Sequence, residues 1–239
     1  MVLDRDAQPS PFPECPWALA FTEQSCERAT RGDWNWETGL NKDQIADFES
    51  IRDHGLRAVY GNWAFLKNHS KDKDKYAHRR LSWVAYVACK RESRRLLGDV
   101  ILTQQDVQEQ RPYPDGFVTT TWSLDLHYPD PKNTVHFPGE EFKTICKTPA
   151  IKPYAVPYRC FYSRNVENLF MAGRDVSVTH VALGTVRVMR TCGMMGEVVG
   201  MAASICKNRN TTPRGVWAEH LPELKDLATR GVGRQAVKR

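Results

Sequence analysis

Several signatures that assign a function at once are missing from these 239 residues. The seven cysteines are Cys15, Cys26, Cys89, Cys146, Cys160, Cys192 and Cys206, and none is paired with another at a two-residue gap. That excludes a zinc knuckle or an iron–sulfur run, and no metal site is expected. An odd count at wide spacing argues for reduced thiols in a reducing compartment, hence a cytoplasmic protein, and against a disulfide framework. No apolar run reaches the roughly 18 residues that a membrane span needs. The start, "MVLDRDAQPSPFPECP", is acidic and proline-rich. It lacks the basic end and apolar stretch of a signal peptide. Much of the excess of basic over acidic charge also sits in one place. The net charge is +6, and the segment Ala228–Arg239 carries Arg230, Arg234, Lys238 and Arg239 with no acid. Without a basic folded face, no nucleic-acid partner is expected. Finally, there is no Gly-x-Gly-x-x-Gly turn between a strand and a helix, the loop that cradles a dinucleotide pyrophosphate. "GVGRQA" at Gly231 holds only part of the pattern, and no strand precedes it.

The composition is otherwise that of a globular protein, with 41% hydrophobic and 26% charged residues. Seven tryptophans are generous for this length and suggest both a core and a stacking surface. Residues 1–16 form an irregular lead-in. Ile45, Phe48, Ile51, Val59, Trp63 and Leu66 recur at helical spacing, so a helix is expected from about Asn41 or Asp43, kinked or split at Gly55. Trp83 to Ala88 reads as a buried strand, followed by the charged cluster Lys90 to Arg95. Thr103 with Asp106 three residues on is a helix cap. "GFVTTTWSLDLHY" reads as a strand. "YPDPKNTVHFPGEE" reads as a turn region, and "IKPYAVPYRCFYS" as extended chain.

The final third is the best patterned. "NLFMAG" reads as a short strand ending on glycine. "TCGMMGEVVGMAASICKN" reads as a helix capped by Thr191, with Met195, Val198, Val199, Ala202 and Ile205 on one face. Pro222 fits the first turn of a last helical stretch. Gly193, Gly196 and Gly200 each cost the helix about 1 kcal/mol relative to alanine. Either they allow tight packing on a sheet, or something approaches the helix backbone. Placed in the first turn, Gly193 and Gly196 would present unpaired N–H groups at the positive end of the helix dipole.

The segment "VENLFMAGRDVSVTHVALGTVRVMRTCGMMGEVVGMAA" resembles the C-terminal part of an FAD-dependent oxidoreductase family related to the glutathione-reductase-like flavoproteins. "KRESRRLLGDVILTQQDV" is similar to a second signature of that family. "WNWETGL", "WSLDLHYP" and "PYAVPYRCFYSRNVENL" resemble further segments, and together these cover most of residues 30–225. The resemblance implies FAD as cofactor and a small-molecule substrate. Ala172, Gly173, Arg174 and Asp175 would form a turn passing the ribityl and pyrophosphate. Ser177, His180, Gly184 and Arg187 would form a loop. Thr191, Cys192, Gly193, Met194, Met195 and Gly196 would be the flavin-facing helix start. Trp34, Trp36, Arg91, Arg94 and Arg159 would lie on the substrate side.

Each of these also has a plain structural reading. The charged cluster is either a solvated turn or an Arg fork for an anionic group, with Glu92 pairing one of its cations. His180 and His127 are the proton-transfer candidates, in that order. Cys192 fits a small packing residue better than a redox thiol. The tryptophans pack a core or stack on a ring.

The expected fold is mixed α/β (α+β), an incomplete FAD-binding sheet-and-helix fold joined to a substrate or cap-like region. Residues 1–150 would be that region, 151–226 the C-terminal part of the FAD-binding domain, and 227–239 a basic flexible tail. The missing glycine loop leaves three explanations open. The chain is a fragment, or its partner is a separate subunit carrying the Gly-x-Gly-x-x-Gly motif, or it has kept the pocket without the redox activity as a remnant or partner-binding domain.

Overall fold

The computed structural model describes residues 2–28 and 36–231. Trp34 and the end of the basic tail lie outside the described residues. The fold is mixed α+β, with helices and three two-stranded pairings among the described residues. Two compact units emerge, residues 1–90 with 127–146 and residues 91–126 with 147–239. The chain therefore leaves the first unit after residue 90, re-enters it at 127 and returns to the second unit at 147.

In the first unit, strand β1 (Val2–Arg5) pairs antiparallel with β2 (Arg79–Trp83). Helix α1 (Phe48–Asn68) supplies the core through Ile51, Val59, Trp63 and Leu66, as their spacing predicts. It starts later than expected because the Asp43 carboxylate captures the amides of Ile45 and Ala46, which holds 43–47 as a turn. It also runs unbroken through Gly55, since one glycine weakens a helix by about 1 kcal/mol without breaking it. Gly61 is needed: a Cβ there would sit 2.1 Å from the Leu19 carbonyl oxygen. Rings of Phe21, Phe137 and Phe142 meet at 4.9–5.6 Å. Lys67 at the end of α1 donates to the carbonyls of Tyr76, Ala77 and Arg79, tying a short helix, α2 (Lys73–Tyr76), and the start of β2 to it.

In the second unit, Thr103 and Asp106 form the expected capping box at helix α3 (Gln104–Gln108). Strand β3 (Gly116–Thr120) pairs antiparallel with β6 (Tyr154–Pro157), Val118 facing Val156. Strand β4 (Leu126–Pro129) and its partner β5 (Thr144–Lys147), with α4 (Pro131–His136) between them in sequence, belong instead to the first unit. Helices α5 (His180–Val186), α6 (Met189–Arg209), α7 (Pro213–Glu219) and α8 (Leu221–Arg230) complete the second unit. Helix α6 buries Met195, Val198, Ala202 and Ile205 in the core that also holds Val118, Val156, Tyr158 and Leu183. Met195, Val198 and Ile205 each contribute roughly 1.5–3 kcal/mol on burial. A threonine cluster stitches the layer: Thr120 Oγ1 donates to the Thr185 carbonyl at 2.9 Å, and the Tyr154 hydroxyl meets Thr185 Oγ1. Pro222 sits in the first turn of α8 as expected.

Four expectations need correction. The run Trp83 to Ala88 is not a buried strand. Strand β2 ends at Trp83, and Trp83, Tyr86 and Val87 are 58%, 73% and 54% exposed, because β1 is the only strand β2 pairs with among the described residues. "GFVTTTWSLDLHY" is two strands, broken at 121–125. "YPDPKNTVHFPGEE" contains α4, whose start Asp130-Pro131 is a capped N-terminus with proline in its first turn. "NLFMAG" makes a single bridge, Tyr162 to Phe170, with no ladder beyond it. None of the helices among the described residues is long and apolar enough to cross a membrane.

His54 in α1 uses both ring nitrogens, Nδ1 with the Thr38 hydroxyl and Nε2 with the Glu140 carbonyl at 3.0 Å. Burial holds its pKa below the ordinary value of 6.5, outweighing the bond to Glu140. The unfolded chain thus binds the proton more readily. The stability this imidazole contributes is complete above about pH 6.5 and is lost as pH falls towards its folded pKa. The unfolding midpoint should therefore fall as the pH drops below about 6.5, and His54→Gln, which can keep both bonds, should flatten that slope. An unchanged slope in the variant contradicts the assignment.

Candidate functional site

The second unit gathers three sequence segments that lie far apart along the chain. The first is the charged cluster. Glu92 pairs with Arg95 and, at 2.7 Å, with Nδ1 of His180, the first residue of α5. Ser93 and Arg94 are exposed and take part in neither pair. So the cluster divides as its alternation requires, half inward and half solvated. Arg91 approaches the Asp125 carboxylate at 3.9 Å. Arg187 donates to the Asp125 carbonyl at 2.9 Å. Asp125 was not singled out in the sequence. Gly184 marks it: a Cβ there would lie 2.9 Å from the Asp125 carbonyl oxygen, so α5 closes on that backbone only with glycine.

The second segment is the loop before α5. Leu96 N–H donates to the Asp175 carbonyl at 2.9 Å, and Leu102 N–H to that of Ser177 at 3.0 Å. These bonds seat residues 175–179 against 96–102. Between them opens a cleft of about 380 Å³ lined by Arg95, Leu96, Leu97, Ile101 and residues 177–180. Ser177 is buried, and its hydroxyl has no hydrogen-bond partner among the described residues. Leaving such a group unpaired costs about 1–3 kcal/mol. Gly173 has φ +106, a conformation that favours glycine and turns the chain at Ala172–Asp175.

The third segment is the start of α6. The charges of Arg174 and Asp175 both act on Cys192 in the second turn of α6. Burial is the larger influence on that thiol and pushes its pKa up, as befits a packing residue. Its Sγ donates to the Val186 carbonyl.

The helix opens earlier than the sequence suggested. Val188 is its N-cap, and the first intrahelical bond runs from Cys192 N–H to the Val188 carbonyl. Met189, Arg190 and Thr191 thus carry the N–H groups without an intrahelical acceptor, and Gly193 and Gly196 lie within the ladder. Thr191 is not the cap; its side chain is buried, 3.5 Å from the Thr120 hydroxyl. Met195 is fully buried and faces the core, while Met194 is only partly covered. Gly193, Gly196 and Gly200 are exposed, and a Cβ at any of them would meet nothing within 4 Å. Packing against a sheet does not explain them.

The remaining candidates lie elsewhere. Trp36 belongs to the first unit and stacks on Phe142 at 5.3 Å, a core contact. Arg159 gives a two-pronged pair to the fully buried Asp115, at 2.9 and 2.8 Å, and lies 5.0 Å over the Trp217 ring. Removing one partner of such a pair costs roughly 3–5 kcal/mol, so Arg159 is corrected to a structural cation. His127 is in the first unit, with Nδ1 2.8 Å from Glu37 and Nε2 3.6 Å from Cys146 Sγ.

A family model described as FAD dependent oxidoreductase matches residues 9–227, and the chain belongs to that family. No curated protein matches it, and neither does any solved structure.

If the three glycines serve no packing purpose, alanine at each should stabilise the chain. Gly193→Ala, Gly196→Ala and Gly200→Ala should each raise unfolding free energy by about 0.5–1 kcal/mol in urea titrations. A loss of stability would mean that the exposed face has an intramolecular partner.

Proposed function

We propose that this member of the FAD dependent oxidoreductase family supplies the isoalloxazine-side part of a flavin site, for hydride exchange with a small organic substrate. The observation that carries the reading is the bare glycine face of α6, where nothing lies within 4 Å of a Cβ at Gly193, Gly196 or Gly200. Three exposed glycines cost the helix about 3 kcal/mol together, and close approach of a flat ring to the helix backbone is what would offset them.

The residues present fit one end of FAD. The unpaired Ser177 hydroxyl, the turn at Gly173, Arg174 and Asp175, and the N–H groups of Met189 to Thr191 form a donor set suited to an electron-rich ring edge. They do not fit the other end, since the 239 residues contain no glycine-rich loop between a strand and a helix for the pyrophosphate. Bound FAD supplies the acceptance of two electrons as hydride, which no side chain provides.

The chain's own residues supply position and protons. The positive end of α6 at Met189–Thr191 stabilises negative charge brought to it. Glu92 is acceptor-only when ionised, so it fixes the His180 proton on Nδ1 and leaves Nε2 to take one from substrate. At 68% exposure that pair adds little stability, so orientation is what it provides. The cleft beside Ser177 and His180 has the volume for a small molecule.

The missing glycine loop favours a second reading, in which a separate polypeptide carries the pyrophosphate site. Gel filtration after incubation with FAD tests both. Flavin absorbance that stays with the chain alone supports the first reading. Absorbance that appears only with a co-expressed Gly-x-Gly-x-x-Gly polypeptide supports the second. A folded chain that stays colourless in both cases overturns the flavin role and leaves a non-catalytic binding domain. Where flavin binds, His180→Ala should leave its content unchanged and lower turnover by about 100-fold or more.

A further inference from the structure

The first unit has a cleft of its own, which the flavin reading does not use. About 320 Å³ in volume, it brings Glu27 together with Asp130, Lys132, Asn133, His136 and Lys143. Asn133 on α4 is only 6% exposed. Its Oδ1 accepts from the backbone N–H groups of Phe142 at 2.8 Å and Lys143 at 3.2 Å. Two donors at one atom mark it as the oxygen, so Nδ2 is the other end of the amide. That nitrogen carries two N–H groups and has no partner among the described residues. Buried donors are nearly always paired in folded proteins, and an acceptor arriving in the cleft would pair this one.

The charged groups of the lining are evenly divided. Lys132 and Lys143 are cations, and Glu27 and Asp130 are anions. Each carboxylate has one oxygen engaged. Lys143 Nζ lies 2.8 Å from Glu27 Oε2, and Asp130 Oδ1 accepts from the Lys132 N–H at 2.9 Å. The second oxygens, Glu27 Oε1 and Asp130 Oδ2, have no partner among the described residues, and neither has the Lys132 ammonium. The backbone holds these groups in place. Asn62 of α1, fully buried, accepts from the Glu27 N–H at 2.7 Å and donates to the Glu27 carbonyl at 3.0 Å. The Asp130 N–H donates to the Lys143 carbonyl at 3.0 Å.

This lining selects its ligand by charge. A net anion is repelled by Glu27 and Asp130, and a net cation by Lys132 and Lys143. A neutral polyol leaves the open ammonium and the open carboxylate oxygens without charged partners, and charge-assisted hydrogen bonds are the stronger ones. A small zwitterion has no net charge and meets both signs. We propose that the cleft binds a free α-amino acid. Its carboxylate accepts from Asn133 Nδ2 and the Lys132 ammonium, with the His136 imidazole as a further donor. Its ammonium donates to Glu27 Oε1 and Asp130 Oδ2. The proposal is independent of the flavin reading, which concerns the second unit.

L-Alanine is the probe, titrated into the isotope-labelled full chain and followed in proton–nitrogen correlation spectra. The Asn133 side-chain amide and the backbone amides of Glu27, Lys132 and Lys143 should shift saturably. L-Alaninamide lacks the carboxylate and N-acetyl-L-alanine the ammonium. Each should bind at least about tenfold more weakly, the worth of one lost hydrogen bond to a charged group. D-Glucose should bind no better than those two. Asn133→Asp keeps an oxygen for the Phe142 and Lys143 amides but puts a carboxylate where the donor stood. It should weaken L-alanine binding at least about tenfold. Lys132→Glu, a change at an exposed side chain, should weaken it severalfold. Loss of spectral dispersion would reveal a variant that has unfolded; should Asn133→Asp do so, Lys132→Glu and the comparison of ligands decide. The proposal is overturned by the absence of saturable shifts at these residues, or by equal affinity for D-glucose or for either singly charged analogue. Undiminished binding in folded Asn133→Asp or Lys132→Glu overturns it as well.

Discussion

Helix α6 has two unlike faces, and the site depends on that difference. One face carries Met195, Val198, Ala202 and Ile205 into the core of the second unit, against the β3–β6 pair. That face pays for the other, where Gly193, Gly196 and Gly200 expose backbone and touch nothing. A helix can carry such a stripe when its buried face is worth several times the propensity lost, and here four apolar side chains set against three glycines meet that condition.

Around the start of α6, short polar contacts do the assembling. Gly184 lets α5 close on the Asp125 backbone, where Arg187 donates to its carbonyl. Glu92 reaches His180, and Leu96 is bonded to Asp175. Each contact is modest, and the partly exposed ion pairs add little to stability. Their effect is to specify position: the charged cluster, the loop and the helix start come together although about 80 residues of chain separate the first from the others. The buried Asp115–Arg159 pair works differently, as an interior anchor whose loss would be felt by the whole unit.

The legible parts of the sequence were those governed by local rules. The Thr103–Asp106 cap, the apolar stripe of α6 and the proline in the first turn of α8 follow from short-range spacing, and the structure has them. Boundaries set by side-chain capture were not legible: Asp43 delays α1, and α6 opens at Met189 with no side-chain cap to announce it. Strand readings failed where an apolar run found no ladder, as at 83–88 and at "NLFMAG". Motif likeness pointed to Gly173, Ser177, His180 and the glycines of α6 as site candidates. It could not separate Met195 and Thr191, which face inward, from their exposed neighbours. Asp125 was missed because its partners, Gly184, Arg187 and Arg91, lie tens of residues away in sequence. The ion pair of Arg159 was not legible because its partner, Asp115, is 44 residues away.

The claim at the centre is that the bare face of α6 is kept for a flavin ring. Valine is no worse than glycine inside a helix, so Gly193→Val separates binding from folding. FAD retention and the urea midpoint, measured together on that variant and on the unchanged chain under whichever condition loads flavin, decide it. Loss of flavin with an unchanged or higher midpoint is the result predicted. Full flavin content in Gly193→Val would contradict the claim.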